Sequence, residues 1–163
     1  MACLLIGGLT LGACQSISNG SENSSNSEVR EIESLSPRVM DSGECGLFVW
    51  QIDPTPKLVL FSQTENLMAD YWDGQAEVKI ERQSMDGLEE FGQAPIQTFK
   101  DANERDIQLE LRNPLSVDNG TRFQNGALTT IQLDGWEKVT PVIGMAACNR
   151  APIASDYSER TIR

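Results

Sequence analysis

The stretch Asp73-Gly-Gln-Ala-Glu-Val-Lys-Ile-Glu-Arg-Gln83 decides the fold class. Ala76, Val78 and Ile80 alternate with Gln75, Glu77, Lys79 and Glu81, the period of two that puts successive side chains on opposite faces of a strand. One face is apolar and the other charged, which suits an antiparallel sheet with one wetted side. The Asp73-Gly74 pair just ahead favours a two-residue hairpin turn back to a strand at Leu67–Trp72. Ile107, Leu109 and Leu111 repeat the pattern against Gln108, Glu110 and Arg112.

Working outward, Gly46–Trp50 and Lys57–Phe61 are short apolar runs. The connection between them holds Pro54 and Pro56, which a central strand would not tolerate. Further strands are expected at Pro95–Lys100, Thr121–Gln124, Ala127–Leu133 and, past Asp134-Gly135, at Trp136–Ile143, with a longer excursion over residues 84–94. No segment after Cys45 sustains a helical period. The pattern predicts an all-β domain over 45–150, a small antiparallel barrel or sandwich of about eight strands. Trp50, Trp72 and Trp136 are expected to pack in it, and residues 151–163 form a polar tail.

The 163-residue chain carries 13 cations and 24 carboxylates, a net charge of −11. Such a surface repels phosphate backbones and argues against nucleic-acid binding. Histidine is absent, which removes the commonest general base, the Ser-His and Cys-His pairs and most zinc sites. No cofactor and no metal site is expected.

Ahead of the domain, Met1-Ala-Cys-Leu-Leu-Ile-Gly-Gly-Leu-Thr-Leu-Gly-Ala-Cys14 is a short apolar run ending in small residues. About 20 apolar residues are needed to span a bilayer, so a secretory signal is the better reading. No Lys or Arg precedes the run, which points to a true start upstream of Met1. Leu11-Gly12-Ala13-Cys14 resembles the bacterial lipobox. That resemblance implies removal of residues 1–13, lipidation of Cys14 and attachment to a membrane through the acyl chains. Gln15 follows the cysteine where an aspartate would imply inner-membrane retention, so the resemblance implies a periplasm-facing outer-membrane protein. Residues 14–44 then form the lipidated cysteine and a flexible Ser/Asn-rich tether, too polar to offset its ordering entropy. Val29, Ile32 and Leu35 lie at helical spacing and admit a turn or two of helix before Pro37.

With Cys3 removed and Cys14 lipidated, Cys45 and Cys148 remain, one at each end of the domain. In an oxidising compartment they pair as a disulfide tying the domain's ends, or else stay as two buried thiols. Paired, they leave no cysteine for catalysis. Carboxylates are the remaining reactive groups. Glu89-Glu90 in a loop and Asp70 with Asp73 at a hairpin do not form the cleft-spanning pair of a glycosidase. Asp101-Ala-Asn-Glu-Arg-Asp106 lacks the register of a calcium loop and reads as a hairpin tip.

The Cys-Gly-Leu-Phe-Val-Trp start at Cys45, Val59-Leu-Phe-Ser-Gln63, Gly120-Thr-Arg-Phe123 and the closing Gly135-Trp136, Pro141-Val142 and Cys148 resemble a family of small lipoproteins of Gram-negative bacteria. That family carries no assigned activity. A second resemblance, in layout, is to the membrane-bound inhibitors of c-type lysozyme, small lipidated disulfide-linked β-barrels with a Ser-Gly-x-x-Tyr motif. Asn119-Gly-Thr-Arg-Phe123 stands at the corresponding place, with Asn119 for the serine and Phe123 for the tyrosine. It marks Arg122 and Phe123 as candidate binding residues.

The resulting expectation is a non-catalytic binding or envelope-structural module with a ligand or protein partner in the cell envelope. The alternative is an inhibitor of a cationic lysozyme-type hydrolase, steered by the acidity of the domain. A carboxylate-dependent hydrolase is a distant third.

Overall fold

The computed structural model describes residues 33–132 and 134–150. The expected signal segment 1–13, Cys14, the tether up to residue 32, Leu133 and the tail 151–163 lie outside the described residues.

Eight strands follow in order: β1 (Cys45–Gln51), β2 (Lys57–Gln63), β3 (Met68–Trp72), β4 (Glu77–Asp86), β5 (Ile96–Lys100), β6 (Asp106–Val117), β7 (Gly120–Ile131) and β8 (Glu137–Cys148). Each pairs antiparallel with its neighbour in sequence, and β1 closes on β8 from Cys45 opposite Cys148 to Gln51 opposite Val142. The all-β expectation therefore resolves to a closed up-and-down barrel. Closure leaves no pair of open sheet edges, which a sandwich would have had to protect.

The alternations read from the sequence point inward. Leu47, Val49, Leu60, Ile80, Phe99, Ile107, Leu109, Leu128 and Val142 are buried and fill the barrel. Eight strands enclose just enough width for side chains to meet across the axis. Gly144 sits where β8 faces Leu111. A Cβ there would approach Leu111 Cδ1 to 2.7 Å, so the bare backbone is what admits the leucine. Cys45 and Cys148 are bonded, as the sequence led one to expect, and join the first strand to the last.

Three expectations are corrected. The Asp73-Gly74 turn is not a two-residue hairpin, because the Asp73 carboxylate accepts the N–H groups of Gln75 and Ala76, both at 2.8 Å, and holds a four-residue loop between Trp72 and Glu77. Thr121–Gln124 and Ala127–Leu133 are not separate strands but parts of β7. The polar Gln124-Asn125-Gly126 break is a bulge, with the register to β8 shifting between Phe123 and Gly126. Residues 33–44 form neither helix nor free tether. They cross the outside of β2, β3 and β4 as an ordered strap. Leu35 is buried and its N–H donates to the Leu58 carbonyl at 2.9 Å. Arg38 pairs with Asp70 at 3.2 Å and with Glu77. The strap closes on the residue that follows β8, where the Asn149 amide donates to the Met40 carbonyl at 2.7 Å. Its partners lie many residues away in sequence, which is why local pattern missed it.

Candidate functional site

The two ends of the barrel are built differently. At the end holding the disulfide, the β4–β5 loop (residues 87–95) crosses the opening. On one side Thr64 Oγ1 donates to the Phe91 carbonyl at 2.9 Å, and on the other Thr121 Oγ1 donates to Glu90 at 2.9 Å. Beneath the loop lies a buried polar layer. Gln93 donates to the Ser62 carbonyl and to Thr64 Oγ1, and Gln97 donates to Gln93 Oε1 at 3.1 Å and to the Ala94 carbonyl at 3.0 Å.

Arg82 is the unexpected member of that layer. It continues the inward face of Val78 and Ile80 and is 8% exposed. Its guanidinium donates to Ser62 Oγ at 3.1 Å and to the carbonyls of Thr64 and Asn66, both at 3.2 Å. Among the described residues no carboxylate forms an ion pair with it. Burial holds the group below the usual arginine range, opposed by the more distant charge of Glu89. A cation satisfied by neutral oxygens fixes the β2–β3 loop against β4 and seals this end. The alternation of the strand carried the signal, since residue 82 shares parity with 78 and 80.

The opposite end is open. A cavity of about 450 Å³ enters the barrel there, floored by Val59, Tyr71 and Leu128 and flanked by Trp72. Tyr71 Oη and Thr130 Oγ1 lie 3.2 Å apart just inside, and burial raises the tyrosine's pKa, so the phenol stays protonated. The rim is polar. Gln51, Gln75, Thr140 and Lys138 face the opening, Lys57 pairs with Glu33 from the strap, and Asp73 is engaged with its own loop. Beside the cavity Asp101 closes the β5–β6 hairpin tip. Burial pushes its carboxyl up, but the N–H groups of Arg105 and Asn103 and the Arg105 guanidinium outweigh that and hold it below the usual carboxylate range.

The residues singled out from the sequence fall apart in space. Arg122 is exposed on the outer face of β7, beside a shallow groove with Trp50, Ile143 and Met145, where Phe48 stacks on Trp50 with centroids 5.9 Å apart. Phe123, 2% exposed, is core and cannot meet a partner, because adjacent strand residues face opposite sides. Glu90 belongs to the sealing loop, Asp70 lies under the strap and Asp73 holds a turn. No group of three or more His, Cys, Asp or Glu side chains able to hold a metal ion occurs among the described residues. Trp136 does not pack as expected. It is 76% exposed on the β7–β8 loop, at the open end. The mouth itself was missed, since its members come from β1, β2, β3, β7 and β8, from the strap and from the β3–β4 loop, and only closure assembles them.

Comparison with protein-family models, with curated proteins and with solved structures finds no match.

Proposed function

We propose that the protein is a lipid-anchored, periplasm-facing outer-membrane lipoprotein acting as a non-catalytic binding module, with the open mouth of the barrel as its binding site. One observation carries the reading: a barrel sealed at one end by a dedicated polar layer and left open at the other into a cavity of about 450 Å³, within the range of small-ligand sites at about 300–1,000 Å³. The charged groups around that cavity support binding over chemistry. Glu33 is held ionised by Lys57 and Asp73 is occupied as a turn acceptor. A general acid needs a carboxyl pushed up towards neutrality.

Cys14→Ser should move the protein from the membrane to the soluble fraction, since the acyl chains are the proposed anchor. Small-molecule extract of the cell envelope, added to the full-length isotopically labelled protein, should shift amide resonances of mouth residues while the extract's components stay chemically unchanged. Turnover of a component, or shifts confined to other surfaces, would overturn the reading.

A second reading has one observation in its favour. The exposed groove of Arg122, Trp50, Ile143 and Met145 has the Trp, Arg and Met composition of protein-binding hot spots. It keeps open the docking of a cationic hydrolase onto a domain with 16 carboxylates against 8 cations between Cys45 and Asn149. The first reading expects no lysozyme inhibition at about 0.15 M salt, where the Debye length is near 8 Å. Inhibition there that Arg122→Ala abolishes would put the second reading first.

A further inference from the structure

We infer that the barrel mouth takes a neutral saccharide of one or two rings, an inference that rests on the mouth being the binding site. The size follows from the cavity, about 450 Å³, near the lower end for small-molecule sites. The absence of charge follows from the rim. Lys57 and Glu33 neutralise one another, and the remaining Lys138 and Asp73 bring the lining to zero. A ligand with net charge would find no matching field there, and an anion would also be repelled by a domain with 16 carboxylates against 8 cations.

The neutral groups settle the rest of the chemistry. Gln75 presents an amide with donors and an acceptor, and Gln51 keeps its acceptor oxygen while its amide nitrogen donates to the Asp53 carbonyl. Thr140 offers a hydroxyl that does both, and the Tyr71–Thr130 hydroxyl pair has spare acceptor capacity. An apolar ligand would strip water from these groups and leave them unpaired, losing their hydration with nothing in return. A polar molecule with no apolar face would in turn leave Val59, Leu128 and the Trp72 wall without a partner. A pyranose ring satisfies both demands, with hydroxyls around its edge and C–H groups on its faces that lie flat against an indole. Trp136, 76% exposed at the same end, is a second aromatic surface that nothing in the barrel uses.

The test titrates the full-length protein with glucose, cellobiose and N,N′-diacetylchitobiose, and in parallel with glucuronate, which adds one charge to the same ring, and decanoate, which is apolar and anionic. Amide shifts of Gln75, Lys138 and Thr140 and tryptophan fluorescence report occupancy. At least one neutral saccharide should saturate both signals, with glucuronate at least tenfold weaker. Gln75→Ala and Thr140→Val should each weaken saccharide binding about fivefold, the loss of one hydrogen bond, with the thermal midpoint unchanged. Tighter binding of glucuronate or decanoate at the mouth would overturn the saccharide assignment and leave the binding module standing. Silence from all three saccharides would overturn it too, and the envelope extract decides separately whether the mouth binds anything. Hydrolysis of a bound saccharide would do the opposite, keeping the ligand class and removing the non-catalytic reading.

Discussion

The sealed end and the open end of this barrel use the same strands for opposite purposes. At the sealed end nearly all the buried polar atoms engage one another, Arg82 with Ser62, Thr64 and Asn66, and Gln97 Nε2 with Gln93 and Ala94, leaving Gln97 Oε1 without a partner. At the open end Lys138, Gln75 and Thr140 face a cavity, while the Glu33–Lys57 pair, the Asp73 turn, the Gln51 amide on the Asp53 carbonyl and the Tyr71–Thr130 hydroxyls are engaged within the protein. The contrast separates stability from binding. Polar groups that satisfy each other inside the protein hold the fold, and those left facing water are available to a ligand.

The largest effect expected from that division belongs to the sealed end. Replacing Cys45 and Cys148 together with serine opens a loop with a sequence separation of 103. A loop of about 100 residues is worth near 4.7 kcal/mol on loop entropy, so the urea midpoint should fall steeply. A fall no larger than that of a typical surface substitution would show that the end is held by its polar layer alone.

Arg82→Met comes next. It keeps much of the side-chain volume but orphans Ser62 Oγ and the carbonyls of Thr64 and Asn66. The expected cost is about 2–3 kcal/mol by denaturant titration, with saccharide affinity at the other end unchanged. A neutral or stabilising outcome would mean that burying the cation costs as much as its hydrogen bonds return.

The smallest effect lies beside the mouth. Asp101→Asn should cost about 1 kcal/mol at neutral pH, because the charge-assisted bonds from Arg105 weaken. Since the folded carboxyl is held below its unfolded value of about 3.9, its stabilisation is present above that pH and lost as pH falls through the folded value. The variant should therefore lose less of its stability than the parent between about pH 4 and pH 2. Parallel acid curves for the two would break the assignment.

The sequence disclosed those features in which local pattern and final environment coincide. The alternations at Val78 and Ile80 and at Ile107, Leu109 and Leu111 face the interior as read, and the cysteines at the domain's two ends meet because the first strand closes on the last. Features set by distant partners stayed hidden. Leu35 is buried against β2, reached only after the chain has turned back. Arg82 sits on the apolar face of its strand, but its acceptors belong to the β2–β3 loop. The break at Gln124-Asn125 reads as the end of a strand until β8 is seen to continue past it with a shifted register. For the same reason Arg122 and Phe123, adjacent in sequence, face opposite sides of the sheet.

The bond between Cys45 and Cys148 also decides how the molecule bears force. Tension applied between the chain ahead of Glu33 and the chain beyond Arg150 would first peel the strap from Leu58, Asp70 and Glu77, contact by contact. On reaching Cys45 it crosses the covalent link to Cys148 and leaves along Asn149. The strands between hang from that clamp as an unloaded loop. Once the strap had peeled, a protein tethered at one end and tugged at the other would keep its barrel, and the mouth within it, free of tension until a covalent bond gave way.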